Sequence, residues 1–354
     1  MRKKIVAFLI VTAFMISMTG CKAGSETRYE ASFLQLFDTV TQIVGYAESE
    51  EAFSEYSQQI YDCLNEYHQL YNIYNDYEGV NNIKTINDNA GIAPVKVDRK
   101  IIELLLFSKE KYELTNGKVN VAFGAVLSLW HEHRQAGLDD PENATLPDFE
   151  ELTLRAQHTD INKLIIDEGA STVYLEDPEM SLDVGAIAKG YAVEKTALEM
   201  EKAGFKNGMI SVGGNVRTIG SKFDDQGNEA PWNVGIQNPD LESEQKTIHV
   251  LNLTDYSLVT SGIYERNYTV NGEIYHHIID PETLMPAKYF VSVTIACQDS
   301  GLADALSTAL FNMPFEDGLE LIESLDGVEA MWIPYDGPYK YSGGFQELIK
   351  DYQN

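Results

Sequence analysis

Apolar residues along this chain switch between helical and strand spacing without settling into the strand–helix–strand alternation that a parallel sheet requires, and that order of elements narrows the fold most. Residues 37–46 read as a strand rich in β-branched side chains. Phe53, Tyr56, Ile60, Leu64, Tyr67 and Tyr71 recur every three or four residues, the mark of a long amphipathic helix. A second helical run covers 101–112, a hairpin pairs 164–166 with 172–175, and a third helix covers 188–203, closed by Gly204. Short strands with turn signals follow at 209–212, 232–236, 258–260, 264–270 and 291–297. Helices at 301–312 and 314–325 and a strand at 330–333 close the pattern. The expectation is α+β: a single large domain of mainly antiparallel strands with flanking helices. The acid-rich stretch 137–147 reads as a loop, and no repeat or firm domain boundary is visible.

With 354 residues and 44% hydrophobic content, the chain can bury a core without disulfides or a structural metal. Acids outnumber bases 55 to 26, a net charge of −29. Counterion release rewards basic surfaces, so nucleic acid is excluded as a partner class. Electrostatic binding to anionic lipid is equally disfavoured. If the protein handles a phosphate ligand, a metal or backbone N–H groups must supply most of the compensation.

Arg2-Lys3-Lys4 precedes a mostly apolar run, 5–18, then Thr19-Gly20-Cys21. A charged start, a short apolar stretch and small residues before a cysteine describe an export signal, too short for a membrane span. Met18-Thr19-Gly20-Cys21 resembles a bacterial lipobox, whose Cys is diacylated; the plainer alternative is a secreted protein with a chance Cys. The expected organisation is a signal peptide over 1–20, lipidated Cys21 and a tether over 21–31, and one folded domain over 32–354. The protein would then sit at the extracytoplasmic face of a bacterial cell membrane, held by lipid chains. Cys63 and Cys297 cannot form a disulfide framework or a zinc site, and Cys297 reads as a buried free thiol.

Four stretches can carry chemistry. Leu182-Asp183-Val184-Gly185-Ala186-Ile187-Ala188-Lys189-Gly190 puts small residues around an acid and a lysine before a helix, which lets backbone approach a ligand closely; a strand-to-helix turn with a surface lysine is the bland equivalent. Ser211-Val212-Gly213-Gly214-Asn215 is a tight turn, weak evidence alone. Thr260-Ser261-Gly262-Ile263-Tyr264-Glu265-Arg266 precedes Tyr275-His276-His277-Ile278-Ile279-Asp280-Pro281. One of its histidines can act as a base, while adjacent strand residues point apart and argue against a shared metal. One core His and one surface His would look the same. Asp304, Ser307 and Thr308 share a helix face and offer hard oxygen donors suited to Mg²⁺, although such triplets are commonly plain helix chemistry. Trp130-His131-Glu132-His133 reads as the end of a surface helix.

Taken in order, LDVGAIAKGYAVE, SVGGNV, TSGIYER, YHHIIDP and ADALSTALF resemble the ApbE-type FAD:protein FMN transferases over nearly the whole chain past its leader. The resemblance implies a Mg²⁺-dependent enzyme that splits FAD, moves FMN onto a Thr or Ser hydroxyl of a target flavoprotein, and releases AMP. Such targets belong to respiratory or extracellular electron-transfer systems. An FAD pyrophosphatase giving FMN and AMP, and a flavin-binding lipoprotein without catalysis, are the competing readings.

Carried over residue by residue, the resemblance makes Asp304, Ser307 and Thr308 metal ligands, with Ala186 lending its carbonyl. Asp183 and Lys189 become flavin-nucleotide contacts. Phe37 stands where the family usually has Met-Gly-Thr, and Tyr74 matches a Tyr that lies against the ligand. Lys118, Val119 and Asn120 become FAD neighbours, with Asn120 replacing the usual Asp. Ile279 matches a backbone contact and His277 the general base. Thr283-Leu284-Met285-Pro286 departs from the common Thr-Gly-x-Pro.

Overall fold

A computed structural model describes residues 26–350. Its frame is an eight-stranded sheet made of β1 (Thr27–Leu36), β2 (Thr39–Ala47), β3 (Gly208–Val212), β4 (Asn215–Ile219), β5 (Ser257–Gly262), β6 (Phe290–Cys297), β7 (Glu329–Pro334) and β8 (Lys340–Tyr341). Spatial order equals chain order, and every neighbouring pair is antiparallel. Antiparallel neighbours need no crossover, so the chain can leave the sheet after any strand and return at the next position. It does so at 48–207, 220–256, 263–289 and 298–328, and these excursions carry the helices and most of the cavity wall. This is the α+β domain expected from the sequence.

Both faces of the sheet are covered. Along β7, Ala330 and Trp332 point into the main core, while Met331 and Ile333 join the opposite cluster with Trp232, Leu251, Leu253 and Phe345. The main core is closed by α1 (Glu50–Leu70), α2 (Arg99–Leu114), α4 (Ala188–Ala203) and α5 (Ser300–Phe311). Here α3 denotes Gly124–Asp139 and α6 Phe315–Glu323. A smaller cluster packs Phe123 and Trp130 against Tyr268, Ile279 and Leu284, joining α3 to the hairpin Asn267–Val270/Glu273–His276.

Local signals place the helices well. Ser49 caps α1, and Phe53, Ile60, Leu64 and Tyr67 form its buried face. The third helix has the expected limits and ends at Gly204, with φ at 99°. Four expectations change. The strand foreseen at 37–46 starts at Thr39, because Phe37 and Asp38, at φ 52° and 54°, form a two-residue hairpin turn. The tether foreseen over 21–31 is already strand from Thr27, whose partner is Ala47, so 27–31 belong to the sheet. The strand foreseen at 264–270 holds only for Asn267–Val270, and the loop foreseen at 137–147 begins inside α3. β4 escaped the pattern because its buried Asn215, Arg217 and Thr218 are polar. Cys63 and Cys297 are buried free thiols. The signal segment and Cys21 lie outside the described residues. Among the described residues, no helix is long and apolar enough to cross a membrane.

Candidate active site

A cavity of about 620 Å³, a size suited to a small-molecule ligand, opens between the β1–β2 turn, the segment after α1, α3, the start of α4, α5 and the β5–β6 excursion. Phe37, Tyr74, Lys118, Val119, Asn120, Asp183, Ala186, Lys189, His277, Ile279, Asp304 and Thr308 all line it. Segments separated by more than a hundred residues in sequence therefore meet at one wall.

The oxygen-rich end is built where α4 meets α5. The Gly190 N–H, in the first turn of α4, donates to Asp304 Oδ2 at 2.8 Å. Ala186 precedes Ile187, the N-cap of α4, so its carbonyl stands outside the helical ladder. Among the described residues it accepts no backbone N–H, so its lone pairs remain available at the cavity wall. Asp304 is buried and forms no ion pair among the described residues. Burial pushes its carboxyl up, against the opposing pull of Lys189 and the Gly190 N–H. A buried carboxylate without an ion-pair partner among the described residues, a free carbonyl and the Thr308 hydroxyl one turn along fit a hard dication whose shell water or phosphate completes. Ser307 is not among the lining residues: its hydroxyl is buried, donates to the Asp304 carbonyl at 2.9 Å and meets the Oγ of Ser261, a wall residue, at 2.8 Å.

His277 lines the same cavity, just past the strand Glu273–His276. The Arg266 carbonyl accepts both the His277 backbone N–H at 3.0 Å and ring Nδ1 at 3.2 Å. A carbonyl only accepts, so Nδ1 carries the proton and Nε2 is left as the basic nitrogen. Enclosure by protein, with the Arg266 guanidinium next, pushes the ring down to about 3 and keeps it neutral. His276 is fastened in the core through Ala287 and Ile278, and its ring lies edge-on to Phe311.

Cations and carboxylates share the cavity wall, where Lys118, Arg134, Lys189 and Arg266 stand with Asp38, Asp183, Glu265 and Asp304. Arg134, Lys189 and Arg266 line it without a carboxylate ion pair among the described residues. Lys118 is different, because Asp280 and Glu282, each 3.0 Å away, already neutralise it. Asn120 uses its side-chain oxygen to cap Ala122 and its amide to hold the Thr159 carbonyl, so it offers a ligand shape rather than a free polar group. Asp183 accepts from Gly185 at 2.8 Å, and burial pushes its carboxyl up. Tyr74 tilts over His131 at 5.3 Å, while Phe37 sets its edge against His68. Val119 and Ile279 contribute buried apolar wall.

Sequence reasoning missed His131 and Arg134, which face the cavity from mid-α3 rather than a surface helix end. Their i, i+3 spacing was the available signal. It also passed over Arg266, although the residue lies within a motif, and Asn215, whose Oδ1 holds Lys189 Nζ at 3.3 Å.

The chain belongs to the ApbE family, whose model matches residues 37–332. The FAD:protein FMN transferase of Treponema pallidum is 37% identical over 282 residues, covering 76% of this chain and 75% of the relative. That of Klebsiella pneumoniae is 30% identical over 274 residues, covering 75% and 80%. The crystal structure of the ApbE protein of Thermotoga maritima aligns at a TM-score of 0.79 with 28% identity, covering 92% of this chain and all of that one. Flavin transferase ApbE from Vibrio cholerae aligns at 0.74 with 25% identity, covering 91% and 99%.

Proposed function

We propose that this chain is a Mg²⁺-dependent FAD:protein FMN transferase. In this reading a Thr or Ser hydroxyl of a target flavoprotein attacks the FMN phosphorus of FAD. A phosphoester bond to the target forms, the pyrophosphate P–O bond breaks, and AMP leaves. The observation that carries the reading is one cavity lined both by a neutral imidazole with a free Nε2 and by a buried carboxylate that has no ion-pair partner among the described residues, with a free carbonyl on the same wall. The first suits removal of a hydroxyl proton; the second suits a cation on a pyrophosphate.

Asp304, Thr308 and the Ala186 carbonyl would hold the Mg²⁺. When bound, the ion would offset pyrophosphate charge and polarise the phosphoryl oxygens. Lys189, Arg134 and Arg266 would balance the remaining anionic charge. Because Arg266 anchors Nδ1–H, His277 would present Nε2 to the incoming hydroxyl; acid–base help of this kind contributes roughly 10²–10⁴-fold. The leader and Cys21 support a lipid-anchored protein at the outer face of a bacterial cell membrane. Its target would be a flavoprotein of a respiratory or extracellular electron-transfer system.

The test incubates the protein with FAD, Mg²⁺ and a candidate flavoprotein, then weighs the target and identifies the released nucleotide. A mass gain equal to FMN, with AMP released, supports transfer. Free FMN with AMP and an unchanged target would replace transfer by hydrolysis.

A further inference from the structure

The two helices that build the oxygen-rich end hold each other by their first turns. First-turn N–H groups have no partner inside their own helix. Gly190, the third residue of α4, gives its N–H to Asp304 on α5. Ser300, the first residue of α5, gives its N–H to Glu194 Oε2 on α4, also at 2.8 Å. Residues 190 and 194 lie one turn apart on one helix, as do 304 and 300 on the other, so the antiparallel pair is joined by two reciprocal carboxylate rungs. The N-cap of α5, Asp299, serves Gly301 and Leu302 and leaves the Ser300 N–H to Glu194. Glu194 is held in turn: Arg217 on β4 places Nε 3.1 Å from the same Oε2, and both residues are buried. Arg217 also reaches Glu201, one helical stretch further along α4, at 3.4 Å.

A buried ion pair seldom adds net stability over a well-packed apolar pair, so its value here must lie elsewhere. What this pair does is set where α5 begins. Asp304 lies one turn beyond Ser300 on the same face, and a shift at Ser300 moves the Asp304 carboxylate relative to the Ala186 carbonyl. We propose that Glu194 is a positioning residue for the cation site, holding the Ser300 N–H so that Asp304 is aimed at the ion it shares with Ala186 and Thr308. This rests on reading Asp304 as the cation's carboxylate.

Ser300→Pro tests the rung directly. Proline is favoured at the first helical position and removes the N–H together with the buried Ser300 hydroxyl, and Asp299, at φ −89° and ψ 114°, already has the extended backbone required before proline. Glu194→Met combined with Arg217→Met removes both charges together and leaves neither unpaired. Mn²⁺ alone, followed by water-proton relaxation, is the probe, with melting of the metal-free protein measured alongside. Both variants should keep a folded metal-free protein and weaken Mn²⁺ binding roughly tenfold or more, as loss of a ligand-orienting partner does. FMN transfer should recover at high Mg²⁺. Glu194→Gln with Arg217→Met keeps an acceptor for Ser300 and should restore most of the affinity. Wild-type Mn²⁺ affinity in the Met pair overturns the proposal, and so does wild-type affinity in a folded Ser300→Pro. If Ser300→Pro fails to fold, the Met pair decides. Wild-type protein that binds no Mn²⁺, or binds it equally as Asp304→Ala, defeats the metal reading itself and this inference with it.

Discussion

Gly190→Ala is the most informative single perturbation, because the helix contact leaves its outcome little room. A Cβ at position 190 would lie 2.2 Å from the Ser300 carbonyl oxygen and 2.5 Å from Asp304 Cβ. Backbone oxygen cannot rotate away, so α4 and α5 must separate by about 1 Å to reach ordinary contact. That stretches the 2.8 Å bond from the Gly190 N–H to Asp304 beyond hydrogen-bonding distance. Alanine gains up to about 1 kcal/mol of helix propensity. Against this stand roughly 1–3 kcal/mol of overpacking and roughly 1.5–3 kcal/mol for a hydrogen bond to a charged group. Steric and hydrogen-bond losses win, with net destabilisation of about 1.5–5 kcal/mol. Thermal melting should show Tm lower by several degrees, and Mn²⁺ relaxation should show weaker binding than in wild type. A Gly190→Ala protein with wild-type Tm and wild-type Mn²⁺ affinity would refute the argument that this contact aims Asp304.

Three further outcomes are expected. In ¹⁵N NMR of the histidine side chains, assigned with His277→Ala, the His277 ring should stay neutral with the proton on Nδ1 from pH 8 to pH 5. Its folded value lies below the unfolded value of about 6.5, so its share of stability is complete above that pH and is lost as pH falls toward 3; a midpoint near 6.5, or a proton on Nε2, contradicts the geometry. Asp304→Ala should abolish FMN transfer at ordinary Mg²⁺ and recover partly, if at all, at high Mg²⁺, whereas wild-type rates at low Mg²⁺ would remove Asp304 from the cation. Cys21→Ser should lose labelling by a fatty-acid analogue and leave the membrane fraction while still modifying a soluble target; retained labelling would show that the anchor lies elsewhere.

Much of this molecule was legible because short-range signals act locally. Apolar spacing marked α1, α2 and α4, and a glycine marked the end of α4 to the residue. The motif segments were legible too, and the fold brings Asp183, Lys189, His277 and Asp304 to one cavity. Turn chemistry was harder to read. Phe is an unexpected residue for a left-handed backbone, and Asp38 was the single turn signal that the strand would begin two positions late.

The sequence by itself determined the kinds of elements, their antiparallel character and the residue types at the cavity, since these follow from spacing and side-chain chemistry along a few turns of chain. Tertiary structure alone decided which polar groups remain free. Asp304, Ser307 and Thr308 have helix-face spacing, yet Ser261 on β5 claims the Ser307 hydroxyl. Lys118 and Arg266 are both cations of the wall, yet Asp280 and Glu282 neutralise the first and no carboxylate pairs with the second among the described residues. The bond that occupies the Gly190 N–H joins it to a carboxylate 114 residues away. Hydrogen-bond partners and desolvation depend on which distant segments the packing brings within about 3 Å, and no local pattern encodes that distance.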